Sequence, residues 1–167
     1  SPVVDEELRN EMGAAAIKIA SLLKYESAGT VEFLFDETTK EFWFLEVNTR
    51  LQVEHPVTEE VTGIDLVREQ LKIANGEPLD FSQEDIEWFG SSIEVRLYSE
   101  DPGNNFLPVT GKLIAFEPTE DPLVRWDTGV ETGSEITPNF DPMLAKIISY
   151  GETRVCLLYT SPSPRDW

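Results

Sequence analysis

The sequence predicts an α+β chain in two parts, a helix-and-hairpin unit followed by a largely antiparallel unit of shorter strands. Apolar residues recur at helical spacing in two segments of the N-terminal half. Between those segments, two runs alternate between apolar and polar side chains, the mark of paired strands with one buried face. Further on, Gly and Pro punctuate short strand-like runs.

Asp5 is placed to cap the first helix, whose opening turn carries Glu6 and Glu7, where the helix dipole favours acids. Leu8, Met12, Ala16, Ile19 and Leu23 then share one face. Gly29 ends the connection and a hairpin follows. Residues 30–35 set Val31, Phe33 and Phe35 on one face, and residues 42–50 do the same for Trp43, Leu45 and Val47. A three-residue turn near Thr38 pairs Phe35 with Trp43, Phe33 with Leu45 and Glu32 with Glu46. A one-residue slip would mix apolar and polar faces, so the pattern selects this register. Thr62 with Asp65 resembles a capping box, and Ile64, Val67, Leu71 and Ala74 form the second helical stripe. Asn75-Gly76-Glu77-Pro78 stops that helix. The strand-like runs are 92–99, 111–116 and 123–126, while 143–150 suits either strand or helix. The expected units are residues 1–78 and 84–155.

Composition narrows the classes of function. Hydrophobic content of 40% and aromatic content of 10% are those of an ordinary globular protein. Thirteen Lys and Arg face 32 Asp and Glu, a net charge of -19 that repels nucleic acid and anionic membranes. Neither is an expected partner. No apolar run approaches the roughly 18 residues of a membrane-spanning helix. One cysteine, Cys156, cannot form an internal disulfide, and a reducing compartment is the default. The chain starts at Ser1 without a Met or a signal-like segment and is expected to begin within a longer protein.

Residues 156–167 break with everything before them. Back-translated, Cys-Leu-Leu-Tyr-Thr-Ser-Pro-Ser-Pro-Arg-Asp resembles the transposon-end adapter used in preparing sequencing libraries. The segment is read as adapter translation and set aside from the fold, together with Cys156 and Trp167. A natural Ser/Pro-rich tail is the competing reading.

Chemistry concentrates in the hairpin. Opposed residues of an antiparallel pair have Cβ atoms about 4.5–5.5 Å apart, and like charges there are destabilising. Glu32 and Glu46 therefore call for a shared proton or a cation, unless they simply face solvent on a polar sheet surface. Oxygen ligands of this kind suit Mg²⁺, which takes one or two carboxylates and completes its shell with water and phosphates. Glu46, Asn48, Arg50, Gln52 and Glu54 occupy every second position, so an extended chain points them all one way. Such a ladder offers cation coordination at one end, a fork for a planar anion in the middle, and a carboxylate base at the other. A polar edge strand would explain the alternation, but not this choice of groups.

The stretch 46–59, Glu-Val-Asn-Thr-Arg-Leu-Gln-Val-Glu-His-Pro-Val-Thr-Glu, resembles the active-site signature of biotin carboxylases, members of the ATP-grasp superfamily. The resemblance extends through Ile93-Glu-Val-Arg-Leu-Tyr-Ser-Glu-Asp-Pro102 and Phe140-Asp-Pro-Met-Leu-Ala-Lys146, and spans nearly all of residues 1–155. It implies the C-terminal part of an ATP-grasp domain, followed by an incomplete, mainly antiparallel biotin carboxylase C-terminal domain. It implies that Glu32 and Glu46 ligate Mg²⁺ or Mn²⁺ and meet the ATP phosphates, with Asn48 a ligand of a second ion. Leu34 matches a position lining the adenine pocket, for which plain packing is the alternative. Arg50, Gln52 and the backbone N–H of Val53 resemble the bicarbonate cradle, Glu54 the general base, and Arg96 the group that stabilises the biotin enolate. His55 is expected to be structural, preceding Pro56 in extended backbone. Trp43 and Trp88 are expected to pack rather than stack on a base.

The implied activity is ATP- and bicarbonate-dependent carboxylation of biotin through carboxyphosphate. Implied partners are a biotin carboxyl carrier domain or protein, a carboxyltransferase component and a second copy in a homodimer, in the cytoplasm or the mitochondrial matrix. The long loop between Phe35 and Glu46 resembles the acyl-CoA and urea carboxylase branch. Competing readings are another ATP-grasp ligase, such as a carboxylate-amine ligase or carbamoyl-phosphate synthetase, and a non-catalytic remnant. Because the glycine-rich lid and phosphate-binding lysines of the family have no counterpart in these 167 residues, the isolated chain is expected to be inactive. Biotin-dependent ATP cleavage by the purified chain is the measurement that would contradict this.

Overall fold

A computed structural model describes residues 3–160. In chain order the elements are α1 (Glu6–Leu23), β1 (Thr30–Phe35), β2 (Phe42–Asn48), α2 (His55–Thr62), α3 (Leu66–Ala74), β3 (Ser91–Tyr98), β4 (Glu100–Asp101), β5 (Leu107–Pro108), β6 (Gly111–Lys112), β7 (Val124–Thr128), β8 (Glu135–Ile136), β9 (Met143–Gly151) and α4 (Arg154–Thr160). They form two compact units. One comprises the chain up to His55 with Asp65–Gln83, the other Pro56–Ile64 with the chain from Glu84 onward. Every strand pairing is antiparallel, giving the expected α+β class.

In the first unit, Asp5 caps α1 through a 2.9 Å bond from the Leu8 N–H to its carboxylate. Lys24, in the left-handed region at φ 49°, ends the helix. Leu8 is buried, but Leu23 of the expected stripe is exposed, as are Ile17 and Leu22. Gly29 sits where no side chain fits easily, since a Cβ there would lie 3.0 Å from the Tyr25 ring and 3.3 Å from the Asn48 carbonyl.

The β1–β2 hairpin departs from the expected pairing. Thr30, Val31 and Glu32 face Asn48, Val47 and Glu46, as the alternation indicates. A bulge then skips Leu45, so Phe33 faces Phe44, Leu34 faces Trp43 and Phe35 faces Phe42. The turn spans residues 36–41, longer than expected. It is closed by bonds from Asp36 N–H to the Glu41 carbonyl and from Lys40 N–H to the Asp36 carbonyl. The Asp36 carboxylate accepts the Thr38 N–H at 2.7 Å, which holds its pKa below the ordinary value.

Residues 55–62, of which His55 was expected in extended backbone, form α2. Pro56 lies in its first turn, where a missing N–H costs no helical bond. The Thr62–Asp65 pair is not a box. Thr62 bonds back to the Thr58 carbonyl and accepts the Ile64 N–H, while Asp65 alone caps α3 at 2.8 Å. Val67 and Leu71 of the expected α3 stripe are exposed. Gly76, at φ 81°, follows the end of α3.

The second unit is built on a three-stranded sheet in the order β3-β9-β7. The ambiguous run 143–150 is its central strand, and its Ala145 and Ile148 are only 2% and 1% exposed. Of the expected strand 111–116 only Gly111 and Lys112 are in strand, paired with β8. α4 packs on β9 and β3 and buries Leu157 completely. Part of the segment set aside above is thus folded onto the sheet, with Cys156 exposed, while residues 161–167 lie outside the described residues. No helix among the described residues is long and apolar enough to cross a membrane.

Arg125 on β7 ties this unit together. Its guanidinium forks onto Asp127 at 2.8 and 3.0 Å and reaches Glu59 and Glu60 of α2 at 2.9 and 3.2 Å. Lys146 of β9 also approaches Asp127, at 3.3 Å. The bond to Asp127 raises the Arg125 pKa, with Glu59 and Glu60 adding to it against burial. Burial acts to raise the Asp127 pKa, but the bonds from Arg125 and Lys146 outweigh it and hold the carboxyl below its ordinary 3.8. A depressed carboxyl contributes stability in full above the ordinary range and loses it as pH falls through the folded value. Asp127→Asn in a full-length protein carrying this segment should therefore cost roughly 1–2 kcal/mol near neutrality. That deficit should shrink away below about pH 4, as read from thermal unfolding against pH.

Candidate functional site

Facing residues of an antiparallel pair share a sheet face, so Thr30, Glu32 and Leu34 lie with Asn48, Glu46 and Trp43 on one side of the hairpin. Val31, Phe33 and Phe35 lie with Val47, Phe44 and Phe42 on the other. There Phe33 meets Phe42 and Phe44 edge to face, at 5.3 and 6.5 Å between ring centres. The bulge produces this sorting. Trp43, expected among the packed aromatics, is carried instead to the carboxylate face opposite Leu34, and the two are 50% and 57% exposed. Trp88 is exposed as well.

Glu32 and Glu46 are the last pair before the bulge, and amide donors lie over them. The Asn48 side-chain N–H₂ reaches Glu32 Oε1 at 2.7 Å and Glu46 Oε1 at 3.3 Å. Gln52 Nε2 reaches the same Glu32 oxygen at 2.9 Å. Charge-assisted bonds of this kind offset the repulsion between the acids. Arg50 extends the network, its Nη2 3.4 Å from Asn48 Oδ1 and its Nη1 3.4 Å from the Leu51 carbonyl.

The ladder is not one extended strand. β2 stops at Asn48, the chain bends at Arg50, and Val53 and Glu54 form a turn leading into α2. Gln52 joins the carboxylates because it folds back onto Glu32, not because the alternation continues. The turn is closed on the Gln52 carbonyl, which accepts the His55 N–H at 3.3 Å and lies 2.7 Å from His55 Nδ1. His55 opens a helix rather than occupying extended backbone. Val53 is half-buried and Glu54 is exposed.

Glu32, Glu46, Asn48, Arg50 and Gln52 are thus linked by hydrogen bonds, with Leu34 beside them on the same face and Val53 and Glu54 in the adjoining turn. Arg96 belongs to the second unit. It is exposed on β3 opposite Lys146, which is itself opposite Asp127 on β7. Sequence reasoning missed the place of Trp43, because its alternation matched a core strand. It also missed the ring-to-carbonyl bond of His55, for which a histidine beside a proline is a faint signal.

The donor set at the hairpin is carboxylate and amide oxygen, which fits Mg²⁺ or Mn²⁺ and not a thiol- or imidazole-seeking metal. No cluster of three His, Cys, Asp or Glu able to hold a metal occurs among the described residues. Glu32 and Glu46 could supply the protein's share of one shell, and Asn48, once its amide turns Oδ1 outward, a ligand to a second ion. The remaining positions suit water and phosphate oxygens.

The carbamoyl-phosphate synthase L chain ATP-binding domain matches residues 1–82, and the biotin carboxylase C-terminal domain matches residues 94–159. Biotin carboxylase 2 of Bacillus subtilis is 52% identical over 92% of this chain and 34% of its own length. The mitochondrial propionyl-CoA carboxylase alpha chain of Homo sapiens is 51% identical over 90% of this chain and 21% of its own. The biotin carboxylase domain dimer of 2-oxoglutarate carboxylase from Hydrogenobacter thermophilus, solved with MgADP, ADP and bicarbonate, superposes with a TM-score of 0.86. It is 42% identical over 92% of this chain and 34% of its own. The Kluyveromyces lactis urea carboxylase gives a TM-score of 0.88 at 47% identity, over 95% of this chain and 14% of its own. The chain spans about a third of the length of the Bacillus relative.

Asn48 and Gln52 donate to one oxygen, so their contributions should not add. Asn48→Ala and Gln52→Ala are each expected to lower stability by roughly 1–2 kcal/mol, since each removes a bond to a charged acceptor. The double variant should depart from the sum by about 0.5 kcal/mol or more, measured as a denaturant double-mutant cycle.

Proposed function

This chain belongs to the biotin carboxylase family, and on that premise we propose that the protein carrying it carboxylates biotin at the expense of ATP and bicarbonate. The observation that carries the reading is the bonded group Glu32, Glu46, Asn48, Arg50 and Gln52, with Val53 and Glu54 next to it in the chain.

In this reading Glu32 and Glu46 hold Mg²⁺ or Mn²⁺, and Asn48 contributes to a second ion. When bound, the metal neutralises charge on the ATP phosphates. Leu34 offers an apolar surface to adenine. Arg50, Gln52 and the Val53 N–H hold bicarbonate, and Glu54 takes its proton. The oxygen so freed attacks the γ-phosphorus, and the bond to the leaving ADP oxygen breaks, giving carboxyphosphate. The Arg50 guanidinium offsets the charge that builds during transfer. Carboxyphosphate breaks down to carbon dioxide and phosphate, the phosphate takes the proton of the biotin ureido nitrogen, and Arg96 stabilises the enolate so formed. That nitrogen then takes carbon dioxide released from carboxyphosphate.

Biotin is proposed to arrive on a carrier domain or protein, and to leave for a carboxyltransferase component. A homodimer and a cytoplasmic or mitochondrial-matrix location complete the proposal. Support comes from the relatives, which include alpha chains of mitochondrial acyl-CoA carboxylases and a domain solved as a dimer.

The test uses a full-length protein carrying this segment. ATP cleavage with Mg²⁺ and bicarbonate should be stimulated by free biotin, and Glu54→Gln should reduce it by roughly 10²-fold or more. Cleavage indifferent to bicarbonate and biotin but dependent on another acid or amine would assign a different ATP-grasp ligase.

A further inference from the structure

The turn between β2 and α2 is fastened at both ends, and neither fastening is a strand or helix bond. At its entry the Gln52 side chain is held by Glu32 at 2.9 Å. At its exit the His55 ring lies 2.7 Å from the Gln52 carbonyl, shorter than the 3.3 Å bond from the His55 backbone N–H to the same oxygen. A carbonyl only accepts, so the ring meets it through an Nδ1–H donor. Val53 and Glu54 lie between these two bonds. α2 does not depend on the ring for its placement, since it buries Pro56 and Val61.

Building on the reading of residues 50–54 as the bicarbonate cradle, we propose that His55 is a positioning residue for bicarbonate. Its Nδ1–H holds the Gln52 carbonyl and so fixes the turn that presents the Val53 N–H and the Glu54 carboxylate. No proton transfer to substrate is assigned to His55, because its Nδ1 is committed to a backbone acceptor. Catalysis depends steeply on the placement of such groups, so a loosened turn lowers activity although each group in it remains. The effect belongs to bicarbonate. Leu34 and the carboxylate pair sit on the hairpin, whereas the ring's hydrogen bond is to the turn, so ATP should bind as before.

Side-chain geometry supplies the test. Asparagine can place its Nδ2–H₂ where Nδ1–H lies in histidine. Glutamine carries the same amide one methylene further out, and alanine carries none. His55→Ala, His55→Gln and His55→Asn would be compared with wild type in a full-length protein carrying this segment, following ATP cleavage against bicarbonate and against ATP. His55→Ala and His55→Gln should raise KM for bicarbonate or lower kcat/KM for it roughly tenfold, the effect of one lost hydrogen bond. KM for ATP should stay within about twofold, and His55→Asn within about threefold of wild type in every parameter. Unchanged bicarbonate kinetics in His55→Ala would overturn the proposal. So would His55→Asn as impaired as His55→Gln, or equal losses for ATP and bicarbonate with a lowered unfolding temperature. A wild-type protein whose ATP cleavage ignores bicarbonate would instead overturn the assigned activity. If His55→Ala does not fold, the Asn and Gln variants decide.

Discussion

Two carboxylates opposed across an antiparallel pair repel, and the first unit is organised around making that placement stable. The register that brings Glu32 to Glu46 is set below them by Val31 against Val47 and Thr30 against Asn48. Above them the bulge at Leu45 ends that register, and the aromatic cluster of Phe33, Phe42 and Phe44 secures the other end of the hairpin. Over the acids themselves, two amides supply hydrogens to the shared oxygen of Glu32. One is the next residue but one on β2, and the other returns from beyond the end of the strand. Arg50, the bend and the turn of residues 53–54 follow from where that second amide must be. The residues proposed to bind anions are therefore located by those proposed to bind cations.

The part of this arrangement that local periodicity determines was legible in the sequence. Alternation in residues 30–35 and 42–50 identified two strands and the facing acids, because burial of one face leaves a single acceptable register. The same alternation misplaced Trp43. Leu45 is as apolar as a core residue, and nothing in its type marks it as the one left unpaired. The break after Asn48 was hidden for a related reason. Residues 46–54 carry the candidate functional side chains at every second position, and a strand is the simplest object with that spacing. The chain instead achieves convergence by folding back, which depends on a bond between residues 32 and 52 and leaves no local trace.

Helix starts were better marked than helix faces. Asp5 caps as expected, because an Asp side chain bonding an N–H three residues on is a local event, whereas Asp65, expected as the far member of a box begun by Thr62, is itself the cap of α3. Leu23, Val67 and Leu71 satisfy helical spacing yet are exposed, since a stripe shows which residues can be buried and not which are covered. In the second unit, 143–150 carries apolar residues on both faces, the pattern of a central strand and of a buried helix alike. Only its pairing with β3 on one side and β7 on the other decides between them.

The chain passes between the two units three times, after His55, after Ile64 and after Gln83. The second unit thus borrows one helix from within the sequence of the first, and its debt is electrostatic. Glu59 and Glu60, the acids that α2 brings to Arg125, are encoded upstream of most of the residues they stabilise. Dissection at the apparent linker near residue 83 would therefore not yield two modules. The downstream piece would keep the sheet but lose two of the three carboxylates bonded to its central guanidinium. Exchange of C-terminal domains between relatives should be made with α2 included, so that the junctions fall at 55–56 and 64–65 as well as at 83–84.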